Sequence, residues 1–222
     1  MRKLYIIGAG GFGAEVEWLI HDVNNPEPRF DVIFVNQLLD NPGYVGNRIY
    51  CGLPVIGNSE FLDSLKGPTN DPSVAIAIGD PQIRCRIVSE MLAQDAYFPT
   101  LIHPSALYDK RTARVQMGQG TIICAGSILT TNIIIGDFVH INLGCTIGHD
   151  AHIRSFCTLS PGVHISGKVV IEEGVFLGTG AVVLPGIRIG HNSTIGAGTV
   201  VTKDIPAGVT AVGIPAKIVK RD

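Results

Sequence analysis

The sequence predicts a two-part α/β chain: a small βαβ unit with a parallel sheet over residues 1–98, then a parallel solenoid of six-residue repeats over residues 99–222. Two observations predict it. From Met117 to Val201 every sixth residue is apolar: Met117, Ile123, Leu129, Ile135, Ile141, Ile147, Ile153, Leu159, Ile165, Ile171, Leu177, Val183, Ile189, Ile195 and Val201. In a chain that is 45% hydrophobic, such a run in one frame has a chance on the order of one in a hundred thousand. The second observation is a change of punctuation after His103-Pro104-Ser105, where helical spacing stops and Gly, Val, Ile and Thr take over.

The first half alternates strand and helix. Residues 4–7 form a short apolar strand, Gly8 to Gly13 a Gly-rich turn, and residues 14–23 a helix with Val16, Leu19, Ile20 and Val23 at helical spacing. A second strand, 31–35, follows a loop whose Asn and Pro residues forbid continuation of the helix. A third strand spans 74–78, flanked by amphipathic segments at 59–65 and 83–91. Together they make a βαβ arrangement, half of a doubly wound dinucleotide fold.

In the second half each hexad reads as one short strand plus a turn, with Gly at the second position in Ile135-Gly136, Ile147-Gly148, Leu177-Gly178, Ile189-Gly190 and Ile195-Gly196. The fifth position is small or β-branched almost throughout, from Thr121 and Ser127 to Thr199 and Ile205. One large aliphatic row beside one small row is what a narrow solenoid interior accepts, because each coil buries its face only against its neighbours.

Composition narrows the function classes. The chain has 222 residues, a formal charge of -2 and 16% charged residues, so disorder is not expected and no basic surface invites nucleic acid or an anionic membrane. No apolar stretch is long enough to cross a bilayer, and Met1-Arg2-Lys3-Leu4 leads into a strand rather than a signal-peptide core, so a cytoplasmic protein is expected. The five cysteines have no C-x-x-C spacing; reduced, mostly buried thiols are expected, with neither a disulfide framework nor a zinc site.

From about Pro99 onward the chain resembles the hexapeptide-repeat acyltransferases, and the segments Ile205-Pro206-Ala207-Gly208 and Val212-Gly213-Ile214-Pro215-Ala216-Lys217 are similar to their closing motif. The resemblance implies a left-handed parallel β-helix in which three hexads make one triangular coil, against the usual right-handed crossover rule, so that residues 18 apart stack. Five coils then span 117–134, 135–152, 153–170, 171–188 and 189–206, without an interrupting loop.

Polar residues that such a scaffold does not require carry the chemistry. His149 falls at the turn after Ile147-Gly148, and the adjacent Asp150 can orient its imidazole and raise its basicity. One coil on is Gly167, where a missing side chain lets a ligand approach the backbone and a backbone N–H can hold a thioester oxygen. Asn142 lies one coil edge earlier, at a position the resembling enzymes also fill with Asn. Cys145 and Cys157 fall in inward rows, unsuited to a nucleophilic role.

Over the full chain, Ile7-Gly8-Ala9-Gly10-Gly11-Phe12-Gly13, Ala77-Ile78-Gly79-Asp80 with Ile83-Arg84, Leu101-Ile102-His103-Pro104-Ser105-Ala106, His149-Asp150 and the closing motif resemble, in that order, bacterial nucleotide-sugar acetyltransferases. These include N-acetyltransferases of UDP- or GDP-linked 4-amino sugars and relatives that O-acetylate sialic acid or polysaccharide. The resemblance implies acetyl-CoA as co-substrate, a homotrimer with acetyl-CoA between subunits, no metal, and a role in surface glycan synthesis. It implies cofactor contacts at Thr158, Gly167, Thr179 and Ala197, a sugar nucleotide near Gly10, Gly11 and Phe12, and its base near Asn36 and Gly79. Many of these enzymes carry His where this chain has Phe12 and Thr158, which leaves a hydroxyl acceptor open.

Three other readings compete. Gly8, Gly10 and Gly13 satisfy G-x-G-x-x-G, but the second strand ends in Val35-Asn36-Gln37 with no acid for a ribose, against a dinucleotide cofactor. A trimeric γ-type carbonic anhydrase would need zinc ligands from among His140, His149, His152 and His164, whose spacing does not supply the required pair. A non-catalytic scaffold would have no use for His149.

Overall fold

The computed structural model describes residues 2–41, 47–65, 73–93, 95–111 and 114–221. It divides into two compact units, one of residues 1–79 with 83–99, the other of residues 80–82 with 100–222.

The first unit is a five-stranded sheet with helices. In chain order it contains β1 (Arg2–Ile7), α1 (Gly11–Val23), β2 (Phe30–Val35), a 3₁₀ turn (Gln37–Asp40), β3 (Ile49–Tyr50), β4 (Leu53–Ile56), α2 (Asn58–Leu65), β5 (Ser73–Ile76) and α3 (Pro81–Leu92), the first two residues of α3 belonging to the other unit. The sheet order is β3-β4-β2-β1-β5, parallel except for β3 against β4. Leu4, Tyr5, Ile6, Phe34, Val74 and the α1 residues Val16, Leu19 and Ile20 form its core. The order reverses at β1, whose neighbours are β2 on one side and β5 on the other, and ligands of open α/β sheets bind at such a point beyond the strand ends.

Three details differ from the sequence expectation. Helix α1 begins at Gly11, inside the Gly-rich turn, and the third predicted strand ends at Ile76. The β3–β4 hairpin was not expected at all: its turn, Cys51-Gly52, takes positive φ at both residues, with Cys where Asn or Asp is the usual signal, and Pro54 interrupts the following run.

The second unit is the left-handed parallel β-helix. Two-residue strands recur on three faces in registers of 18, as in His140↔Thr158 and Ile141↔Leu159 on the first face, Thr146↔His164 and Ile147↔Ile165 on the second, and His152↔Val170 and Ile153↔Ile171 on the third. Every member of the six-residue apolar row is buried except Met117, which is partly covered at the first coil. The small row is buried with it except for the half-buried Ile187: Cys145, Ala151, Cys157, Val163, Val169, Val175 and Ala181 are fully enclosed. Thr121, Ser127 and Ser193 are accommodated because each hydroxyl donates to a corner carbonyl, of Gly136, Asn142 and Pro206 respectively.

The corners explain the glycines. From Gly120 to Gly198 the fourth residue of each hexad turns the chain with positive φ, as at Gly126, Gly144, Gly162, Gly180 and Gly198, a conformation glycine adopts without a Cβ clash. The second-position glycines have another cause. A Cβ on Gly148 would lie 2.6 Å from the Gly167 nitrogen, and one on Gly178 2.6 Å from that of Ala197, so these residues let successive coils approach.

The cysteines are free: Cys124, Cys145 and Cys157 are buried, Cys51 is exposed and Cys85 half-buried. Burial pushes the Cys145 thiol up to about 11. An aromatic disulfide reagent at pH 8 is therefore expected to titrate Cys51 and Cys85 in the native protein and the other three only after denaturation; rapid reaction of a third native thiol would contradict the inward assignment.

Candidate active site

At the carboxyl edge of the first unit's sheet, the turn after β1 and the start of α1 leave an open floor. Gly8 has φ +116 and a Cβ there would lie 2.8 Å from the Ala77 carbonyl oxygen, while a Cβ on Gly13 would lie 2.0 Å from that of Gly8. These two glycines are fixed by packing. Gly10 and Gly11 face nothing within 4 Å, and α1 has no side-chain cap and no acid in its first turn. The exposed amides at the start of α1 thus suit a phosphate.

Gly79 follows β5 and also faces open space, and Asn36 follows β2. Gly10, Gly11, Phe12, Asn36 and Gly79 therefore lie beyond the ends of three adjacent strands, β2, β1 and β5. The Asn36 carboxamide oxygen accepts from the Leu38 N–H at 3.0 Å, which commits it to the 3₁₀ turn and leaves its NH₂ for a ligand. Sequence reasoning gave no site role to Arg84, which is fully buried and donates through Nη1 to the carbonyls of Ile78 (2.7 Å) and Gly79 (3.2 Å). It holds the Gly79 loop in place; in the sequence it is one of two arginines in a helix of mixed polarity, which gives no signal of burial.

In the β-helix, His149 and Asp150 form the corner after the strand Thr146–Ile147. The imidazole projects outward, with its side chain 59% exposed, and its Nδ1 lies 2.8 Å from Asp150 Oδ2. A carboxylate only accepts, so Nδ1 carries the proton in the neutral ring and Nε2 holds the lone pair. Among the described residues Nε2 has no hydrogen-bond partner. The imidazole, and behind it the Asn132 amide, hold the Asp150 carboxyl below the usual carboxylate range, with Lys168 adding to this. Asp150 takes the corner's positive φ, 60°, which Asp tolerates better than most residues.

Gly167 lies directly against the ring. A Cβ built there would be 2.7 Å from Nε2 and 2.8 Å from Cε1 of His149, so the missing side chain makes room for the imidazole itself. The coil-to-coil bonds here run from Gly148 N to Ile165 O, Lys168 N to His149 O and Gly186 N to Gly167 O; the Gly167 N–H donates to none of them.

Asn142, Thr179 and Ala197 share the preceding corner. Thr179 and Ala197 stack 18 apart, and the Asn142 Oδ1 accepts from the Leu143 N–H at 2.7 Å. Among the described residues no hydrogen bond links Asn142 to His149 or Asp150. Thr158 is buried on the first face, in the strand leading to that corner, between His140 and Phe176. The second face, with Thr146, His164 and Val182, therefore runs between the corner of Asn142, Thr179 and Ala197 and the corner of His149 and Gly167. His140, His152 and His164 occupy three different faces, and no three His, Cys, Asp or Glu among the described residues converge as a metal site.

A left-handed solenoid with an outward, carboxylate-held imidazole over a glycine fits an acyltransferase of the hexapeptide type. Residues 168–203 match the bacterial transferase hexapeptide family, six repeats, and residues 3–91 match the PglD N-terminal domain. Among solved structures, the chain is similar to a His-to-Asn variant of perosamine N-acetyltransferase from Caulobacter crescentus, in complex with CoA and GDP-perosamine (30% identity, 99% of this chain and 98% of that chain, TM-score 0.86). It is similar to the acetyltransferase domain of PglB from Neisseria gonorrhoeae FA1090 in complex with acetyl coenzyme A (33%, 98% and 99%, TM-score 0.84). WeeI from Acinetobacter baumannii AYE is also similar (31%, 99% and 100%, TM-score 0.84). No curated protein sequence matched. The chain belongs to the family of hexapeptide-repeat sugar acetyltransferases that includes these proteins, and it is an acyltransferase.

Proposed function

We propose that the protein transfers the acetyl group of acetyl-CoA to the amine of a nucleotide-linked amino sugar in glycan synthesis. The observation that carries the reading is the outward His149–Asp150 pair with a free Nε2 over Gly167, in a chain similar throughout its length to an N-acetyltransferase solved with CoA and GDP-perosamine. The amine attacks the thioester carbonyl directly. His149 Nε2 takes the proton that the amine sheds, Asp150 holds Nδ1, and the Gly167 N–H meets the oxygen on which charge develops. CoA leaves as the thiol, its sulfur taking up the proton that His149 removed from the amine. Asn142 completes the catalytic group from the neighbouring corner.

In this reading acetyl-CoA lies along the corners at Gly167, Thr179 and Ala197, with Thr158 on the adjoining strand. Residues 99–222 form the acyltransferase domain, and residues 1–98 form the sugar-nucleotide domain, with the diphosphate at Gly10, Gly11 and Phe12 and the base near Asn36 and Gly79. The working assembly is a homotrimer in the cytoplasm with acetyl-CoA between subunits, because a single solenoid offers no deep cleft. Among the described residues no helix is long and apolar enough to cross a membrane.

The test is a CoA-thiol release screen against UDP-, GDP- and dTDP-linked 4-amino sugars and their 4-hydroxy analogues. The amino compounds are expected to release thiol and the hydroxyl analogues to remain at background. Release with the hydroxyl compounds alone would replace N-acetylation by O-acetylation at the same histidine, and no release with either series would refute the proposed substrate class.

A further inference from the structure

A row of polar side chains runs down the corner that carries His149. Arg114 Nη1 donates to Asn132 Oδ1 at 2.7 Å, Asn132 Nδ2 donates to Asp150 Oδ1 at 3.2 Å, and Asp150 Oδ2 faces His149 Nδ1 at 2.8 Å. Arg114, Asn132 and Asp150 are 18 residues apart in turn, so the coil spacing itself brings them into one line. Lys168 continues the row beyond Asp150.

We propose that Asn132 is a positioning residue for acetyl transfer: oriented by Arg114, its NH₂ fixes the Asp150 carboxylate with Oδ2 toward His149 and so keeps Nε2 as the unprotonated, reacting nitrogen. This rests on His149 being the general base. Two observations beyond the distances carry it. At the corner of Asn142 every turn residue with positive φ is glycine, namely Gly126, Gly144, Gly162, Gly180 and Gly198. At the His149 corner the same positions are Asn132 (φ 56°), Asp150 (60°) and Lys168 (61°), with Gly186 one coil further, so polar side chains stand at the coils around the imidazole. The third corner also takes side chains at these positions, Phe138, Phe156 and Asn192, so what sets the His149 corner apart is the hydrogen-bonded polar row beside the imidazole.

The amide also has a geometry that a second acid or base would lack. Its oxygen must accept from the Arg114 guanidinium, so its NH₂ necessarily points to Asp150. The neighbouring residue Thr131 is occupied separately: its hydroxyl donates to Asp109 Oδ2 at 2.8 Å, and Asp109 in turn pairs with Arg111. The titratable and charged groups around Asp150 are then His149, Lys168 and, through Asn132, Arg114.

The test compares Asn132→Gly and Asn132→Asp with the full-length wild type. Glycine keeps the positive φ and deletes the amide. Aspartate keeps the shape but sets a carboxylate against Asp150. With acetyl-CoA and an amino-sugar nucleotide that turns over, we expect kcat to fall about tenfold for Asn132→Gly and further for Asn132→Asp, with KM for both substrates within about twofold, as for groups acting on the transition state. Nitrogen-15 spectra of the His149 ring, assigned against His149→Ala, should show one Nδ1–H tautomer in the wild type and a mixture in Asn132→Gly. Wild-type kcat in both variants would overturn the proposal, and so would a loss of kcat with the tautomer unchanged, which would place the effect in corner packing. If His149→Ala itself retains activity, the catalytic reading fails first, whatever the Asn132 variants do.

Discussion

His149→Ala is expected to lose acetyl transfer by about a hundredfold or more, the range over which a positioned general base contributes, equivalent to about 2.7 kcal/mol of transition-state stabilisation. The loss should fall on kcat while acetyl-CoA binding and the melting temperature stay near wild type. The ring is outward and its hydrogen bond is to an exposed carboxylate, so its deletion opens no cavity in the core. Titration calorimetry with CoA and steady-state kinetics on the same preparation separate the two effects. Unchanged turnover would refute the mechanism and leave His149 without a catalytic task.

Val183→Asp is expected to have the largest effect on stability. Val183 is fully buried, in register with Ile165 one coil before it and Val201 one coil after. A carboxylate there has no partner and must either be desolvated or take up a proton, at a cost of several kcal/mol, a large part of what holds an ordinary domain together. Urea unfolding followed by circular dichroism should show a strongly lowered midpoint or no folded baseline. His152→Asp, at an exposed strand position next to the inward Ile153, should stay close to wild type. Equal damage from both, or a fully stable Val183→Asp, would mean that the six-residue frame does not define the interior.

The β-helix was legible because its period is enforced at every coil: a polar residue at Ile147 or Leu177 would be buried, so the row cannot lapse. The corner conformation was less legible. The second-position glycines are conspicuous in the sequence, but they serve coil approach, while the turn itself sits two residues later and accepts Phe138, Phe156 and Lys168 as well as glycine. The β3–β4 hairpin left no trace, since strands of two and four residues show no alternation and the turn lacks its usual Asn-Gly or Asp-Gly.

For the site, the His149–Asp150 contact could be read from adjacency and turn position, and the 18-residue count put Gly167 beside the ring. What the count could not tell is that Gly167 yields its space to the imidazole. Asn132 and Arg114 escaped notice for a related reason: each is an ordinary exposed residue, and only the stacking of coils makes them one row with Asp150. In the sequence Arg84 is one residue of the Ile83-Arg84 segment, and only its burial shows that it ties down the Gly79 carbonyl.

The central claim is acetyl transfer to an amine through His149. It is tested most directly by incubating the protein with carbon-13-labelled acetyl-CoA and a GDP- or UDP-linked 4-amino sugar and locating the label in the product by NMR. The account predicts one labelled acetyl group in amide linkage to the sugar nitrogen, formed by the wild type and nearly absent with His149→Ala. Label on a hydroxyl, or the same amide formed equally well without the imidazole, would contradict it.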